Sequence, residues 1–235
     1  MTKMIFWEAC LGIFLMTVAF TASQDFDMFA FSEQWPAATC IKGEQEGKEC
    51  IKPRLHNYWT IHGLWPGRFN KTGPRYCPGP NFNLSEILGL EEELISYWPD
   101  IYNKTDFDSL WDHEWKSHGT CALKIPDTEN ELLYFKKNLE LIKRFNITSI
   151  LSKHDAPPND ENPYTPKLIV NILKKELGHG PILLCIEDME NKRILLREVQ
   201  ICLDLHFEVI DCPKFAKNGT LFKNGCGKKF YYIPL

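Results

Sequence analysis

Eight cysteines constrain this chain more than any run of apolar residues does: Cys40, Cys50, Cys77, Cys121, Cys185, Cys202, Cys212 and Cys226. They form an even set only once a ninth, Cys10, is removed, and the first two dozen residues supply the means. Lys3 gives a short positive start, Cys10 to Phe20 is apolar, and Thr21-Ala22-Ser23 offers small residues for cleavage. Residues 1–23 are therefore expected to be a signal peptide cut near Gln24. A signal anchor is the alternative, but the apolar run is shorter than the roughly 20 residues needed to span a bilayer, and Glu8 interrupts its approach. No later segment is apolar enough to span. An even cysteine set in a secretory chain implies disulfides. Structural zinc would compete for the same residues, yet no Cys-x-x-Cys pair occurs. Composition alone leaves on the order of a hundred connectivities open.

Removing the leader leaves about 212 residues, which suit one domain, residues 24–235, with a substantial core. Lys3 and Glu8 cancel, so the remaining chain keeps the formal charge of −4. That balance argues against broad electrostatic adhesion to nucleic acid and leaves room for a local basic pocket. Five Asn-x-Ser/Thr sequons, at Asn70, Asn83, Asn103, Asn146 and Asn218, make N-glycosylation of several expected and would put those positions on the surface.

Periodicity gives a coarse order of elements. A partly alternating run from Asp25 to Phe31 predicts a strand ending at Gln34-Trp35-Pro36, and Tyr58 to His62 predicts a second, broken by Gly63 and Pro66. His62 is then expected at a strand end. Gly43 to Glu49, flanked by Cys40 and Cys50, reads as a stapled loop, and Lys71 to Asn83 as a Gly- and Pro-rich one. Helices are predicted from Ser85 to Trp98, over the stretch Trp111 to Ala122 capped by Asp106 or Asp108, from a Thr128/Glu131 capping box to about Phe145, and from Thr165-Pro166 to Gly178. Ala156 to Pro163 reads as loop. The last third, Ile182 to Ile186, Ile194 to Leu205, Phe207 to Ile210 and Phe230 to Ile233, is β-prone. Strands flanking a helical block predict an α+β class.

Chemistry concentrates in residues 111–122, WDHEWKSHGTCA. At about 100° per residue, His113, Glu114, Ser117 and His118 share one arc of a helix, with Trp111, Trp115 and Ala122 on the neighbouring, buried arc. Some fifty residues earlier stands His62 beside Trp65. Imidazole titrates nearest working pH, so a pair of histidines can divide general-acid and general-base roles. Other chemistries fit less well: the spacing is HExxxH rather than the HExxH that puts two zinc ligands on one helix face, and no GxSxG is present.

Thr60-Ile61-His62-Gly63-Leu64-Trp65-Pro66, followed by His113-Glu114-Trp115-Lys116-Ser117-His118-Gly119-Thr120-Cys121, resembles the two active-site segments of the ribonuclease T2 family. The likeness extends to Gln34-Trp35-Pro36 and the late cysteines. It implies a central antiparallel sheet flanked by several helices, with disulfides Cys40–Cys50, Cys77–Cys121, Cys185–Cys226 and Cys202–Cys212. The implied activity is cleavage of single-stranded RNA through a 2′,3′-cyclic phosphate to 3′-phosphate ends, with low base specificity and neither metal nor other cofactor. DNA, lacking the 2′-hydroxyl, would not be a substrate. By position, His118 would be the base on that hydroxyl and His62 the acid for the departing 5′-oxygen. His113 would bind phosphate, Glu114 would orient it and polarise the phosphoryl group, and Trp65 would stack a base. The protein would act as a monomer, secreted or in the endolysosomal lumen.

This chain departs from the family pattern at three places. Ser117 stands where the family carries a lysine, and Lys116 one position earlier is the nearest replacement for binding phosphate. Gly67 replaces an acidic residue, and Leu110 stands near an expected aromatic. Reduced turnover is expected from the first. A second reading, that of a secreted glycoprotein of the same fold working mainly by binding a partner, draws only on the displaced lysine and the sequons.

Overall fold

The computed structural model describes residues 26–103, 105–213 and 225–235, so the expected signal peptide and the Asn218 sequon lie outside the described residues. Its centre is an eleven-residue strand, β5 (Arg193–Leu203), flanked by β1 (Met28–Gln34), β4 (Ile182–Asp188), the short β6 (Val209–Ile210) and β7 (Phe230–Tyr232). Beyond β1 lies β2 (Thr60–Gly67), and beyond β7 lies β3 (Asn159–Tyr164). The pairings are antiparallel except β5 with β7, which meet in parallel at Leu195 and Tyr231. Helices α1 (Pro36–Gln45), α2 (Glu91–Tyr97), α3 (Ser109–Ser117), α4 (Glu131–Phe145), α5 (Ile147–Lys153) and α6 (Pro166–Leu177) accompany the sheet. The architecture is α+β, with disulfides Cys40–Cys50, Cys77–Cys121, Cys185–Cys226 and Cys202–Cys212.

Several local expectations are corrected by tertiary context. Strand β2 does not stop at His62; it runs on through Gly63 and Pro66 because it is an edge strand, where a residue without an N–H breaks no ladder. Residues 36–45 form a helix rather than leading straight into a stapled loop, with Pro36 in the first turn. Helix α2 is shorter than its apolar spacing suggests, since Leu84–Glu86 and Leu88–Leu90 are 3-10 turns. At the start of α4 the capping box does not form: Asn130 caps the Leu133 amide at 2.9 Å, while the Thr128 hydroxyl donates to Ala122 O. The polar stretch before α6 holds an edge strand, β3, paired at Asn159 and Tyr164. Helix α6 itself runs from a Thr165 cap to Gly178 at φ +84°, where a residue without Cβ is favoured. Asn70, Asn83 and Asn146 are exposed and Asn103 is half-buried.

The core is rich in tryptophan, and its polar atoms do structural work. Trp35, Trp59, Trp98, Trp111 and Trp115 are all buried, and each indole N–H finds an acceptor. Two of these bonds run in series. Trp111 of α3 donates to Trp98 O at 2.8 Å, and Trp98 donates to His62 O at 3.0 Å. A buried chain of bonds therefore links the helix carrying one histidine cluster to the strand carrying the other histidine.

Candidate active site

His62 owes its position to an irregularity in the sheet. Gly63 pairs with Ser32 and Ile61 with Glu33, so His62 is the extra residue of a β-bulge, opposite no partner. Helix α3 supplies His113 and Glu114 from within its span. The helix ends at Ser117, and His118, at φ −134°, is its C-cap, held by its amide donating to Glu114 O at 2.9 Å. The expected single helical arc is thus cut one residue short.

His62, Trp65, His113, Glu114 and His118 nevertheless line one cavity of about 400 Å³. Its far rim is the loop bearing Arg68, Lys71 and Arg75. That loop is fastened to the end of α3 by Tyr76 N–H donating to Ser117 O at 3.0 Å and by Cys77–Cys121. On the other side of His62 and His113 lies a second cavity, about 770 Å³, whose wall includes Lys42, Lys48, Arg197 and Leu110. The two histidines form the saddle between the cavities.

The charges in the first cavity are set apart by their surroundings. Burial lowers the His118 pKa to about 3, with Arg75, His113 and His62 adding positive charge nearby. Burial also opposes charge on His62, but the Glu198 carboxylate, with a smaller contribution from Glu114, outweighs it against Arg197, and the pKa rises above the ordinary 6.5. His113 is lowered by burial, then by Arg75 and His62. Burial raises Glu114 to about 7, partly offset by His62 and by the hydrogen bond from Trp65. One histidine is neutral and another charged over a broad span of pH, which is the arrangement acid–base catalysis requires.

Three of the expected site residues have defined neighbours once the side chains are placed. Lys116 lines neither cavity: its ammonium sits 2.8 Å from Asp112 on the exposed side of α3, so the cations facing the cavity are Arg68, Lys71 and Arg75. Glu114 is engaged by Trp65, whose indole N–H donates to its Oε2 at 2.8 Å. Trp65 lies between two histidines, its ring 5.0 Å from that of His62 and 5.3 Å from that of His118. Gly67 lines the first cavity and Leu110 the second. Among the described residues no three His, Cys, Asp or Glu side chains form a metal-binding group.

The sequence reading passed over Arg75 and Glu198. An Arg-Glu pair inside a largely apolar β-prone run, LLREVQICL, was the available signal for Glu198, because charges buried in a central strand need a reason. For Arg75 the signal was weaker, a basic spacing of Arg68, Lys71 and Arg75 in a loop.

Gly63 is forced by close approach. A Cβ there would lie 2.2 Å from Glu114 Oε2 and 2.5 Å from Trp65 Nε1. Gly63→Ala is expected to displace that hydrogen-bonded pair, destabilising the fold by roughly 1–3 kcal/mol as other overpacked sites do and lowering turnover on RNA. Melting curves and steady-state rates test this, and an unchanged rate would show that the pair is not needed where it stands.

Ser117 lies on the face of α3 shared by His113 and Glu114, fully buried with its hydroxyl unpartnered. Ser117→Lys is expected to raise kcat/KM on RNA by extending an ammonium from that face, at a cost of roughly 1–3 kcal/mol in stability. A lower Tm with unchanged kinetics would show that the lysine cannot reach.

Similarity to known proteins extends over most of the chain. A sequence model of the Ribonuclease T2 family matches residues 26–212. Ribonuclease Oy of Magallana gigas is 38% identical over 217 residues, spanning 90% of this chain and 98% of that protein. Ribonuclease MC1 from the seeds of bitter gourd superposes with a TM-score of 0.75 at 31% identity, covering 88% of this chain and all of the other. RNase NT in complex with 5′-AMP does so with a TM-score of 0.77 at 30% identity, covering 90% of this chain and 100% of that one.

Proposed function

This chain belongs to the ribonuclease T2 family and is a ribonuclease; on that footing we propose that it cleaves single-stranded RNA by metal-free transphosphorylation. The observation that carries this reading is the shared cavity in which a neutral His118 and a charged His62 stand with His113 and Glu114. The ribose 2′-hydroxyl is an internal nucleophile already held near phosphorus, so proton transfer and charge stabilisation suffice. His118 takes the 2′-hydroxyl proton, the 2′-oxygen attacks phosphorus, and His62 protonates the departing 5′-oxygen, leaving a 2′,3′-cyclic phosphate. Water then opens the ring with the two roles reversed, giving a 3′-phosphate.

His113 and Arg75 bind the phosphate, and Glu114, kept partly protonated by burial, faces the phosphoryl oxygens. Trp65 offers a ring to an unstacked base, and the largely apolar wall around it, including Met28, Pro66 and Ile182, supports low base specificity. All of these groups come from one chain within residues 24–235, so a monomer suffices. DNA lacks the nucleophile and is not cleaved. No helix among the described residues is long and apolar enough to cross a membrane. The cysteine framework and exposed sequons support a site of action outside the cell or in the endolysosomal lumen.

Incubation of the purified protein with single-stranded RNA at about pH 5, a range where one imidazole can be charged and another neutral, with and without EDTA, tests the proposal. Cleavage insensitive to EDTA with cyclic-phosphate ends supports it. Absence of cleavage, or loss of cleavage on chelation, overturns it.

A further inference from the structure

Glu198 is an anion in the middle of the sheet, 1% exposed, and nothing in the acid–base scheme above accounts for it. Its two oxygens are held separately. Ser32 Oγ of β1 donates to Oε2 at 2.9 Å, which the register explains, since Ser32 and Glu198 lie on the same face of adjacent strands. Oε1 stands 3.3 Å from His62 Nδ1 and also meets the Arg197 guanidinium. Arg197 is itself the extra residue of a second bulge, between β4 and β5, where Leu184 pairs with Glu198 and Cys185 with Leu196. Two bulges, on strands β2 and β5 either side of β1, thus converge on one carboxylate.

A buried carboxylate is costly unless paired, so its persistence here needs a compensating partner. Ser32 and Arg197 already satisfy part of that need, and both leave Oε1 facing the Nδ1 edge of His62. With Nδ1 in ion-pair contact with that oxygen, Nε2 is the ring nitrogen left to meet substrate.

We propose that Glu198 is a positioning residue for His62, fixing the ring through Nδ1 so that Nε2 is presented as the proton donor to the leaving 5′-oxygen. The inference rests on the acid role assigned to His62 above. It also explains why two histidines in one cavity are not interchangeable. The groups facing His62 are Glu198 and Arg197 from β5, His113 and Glu114 from α3, and His118 at its cap. Of these, Glu198 provides the largest support for a protonated ring, against burial and Arg197.

The two half-reactions make opposite demands. Transphosphorylation needs His62 protonated at the start, whereas ring opening needs it neutral. Removing the charge at 198 should therefore harm the first step and spare the second. In Glu198→Gln, the alkaline limb of kcat/KM for RNA cleavage is expected to move to lower pH and the rate to fall roughly 10–100-fold, as on loss of a ligand-orienting partner. Hydrolysis of an isolated 2′,3′-cyclic nucleotide should fall much less, and Glu198→Asp should restore part of the first-step rate.

Equal losses in both steps with an unmoved pH profile would assign Glu198 to structure alone and overturn the proposal. Titration of His62 by NMR in the unaltered protein gives an answer even if the Gln variant fails to fold: an apparent pKa at or below the ordinary 6.5 would also overturn it. Failure of the unaltered protein to cleave RNA would instead strike the functional reading itself.

Discussion

Replacing His62 with alanine is expected to slow RNA transphosphorylation by roughly 10²–10⁴-fold, the usual contribution of a positioned acid or base. The size of the loss should depend on the leaving group. A ribonucleoside 3′-phosphodiester carrying an activated aryl group expels that group without a proton, so His62→Ala should cleave it nearly as well as the unaltered protein does. His118→Ala should remain defective on both substrates, because the 2′-hydroxyl must lose its proton either way. The pH profiles should differ as well. His118 is neutral above about 3, so the base is available throughout the acid range, and activity falls at the alkaline end as His62 deprotonates above its raised pKa. If His62→Ala proves equally impaired with the activated substrate, the acid and base have been assigned the wrong way round.

Removal of the Cys77–Cys121 bridge by paired alanine substitution should produce the largest loss of stability among single features of the site. The bridge spans a sequence separation of 44, and a loop of about that length is worth about 4 kcal/mol on the chain-entropy relation. The function should suffer separately. Cys77 holds the rim loop bearing Arg75 against the end of α3, leaving Tyr76 N–H to Ser117 O as the remaining backbone tie. A raised KM for RNA at temperatures where the variant is still folded would identify the loss of that rim. Unaltered KM below the melting transition would restrict the bridge to stability.

Much of the helical structure could be read from local sequence. Thr165, Pro166 and Gly178 bound α6 as capping and chain-stop chemistry dictate, and α4 ends where its apolar spacing ends. What escaped reading was set by neighbours distant in sequence. Pro66 is a strand breaker in isolation and a strand residue here because β2 occupies an edge. Asn130 displaced Thr128 as the cap of α4 because the Thr128 hydroxyl is already bonded to Ala122. His62, His113, Glu114 and His118 were visible through residue type and spacing. Lys116 lies off the cavity because Asp112, one helical turn back, pairs with it, and Glu198 went unread because its partner lies 136 positions away.

The bulge at His62 has a further meaning as a matter of parity. In a regular strand residues three apart point to opposite faces. One extra residue in β2 reverses that rule locally, so His62 and Trp65 both face the cavity, alongside Met28, Ala30, Gln200 and Cys202 from β1 and β5. In a strand of regular register His62 and Trp65 would point to opposite faces, so only one of them could line the cavity. The chemistry of this surface is thus written in the count of residues along one edge strand as much as in their identities.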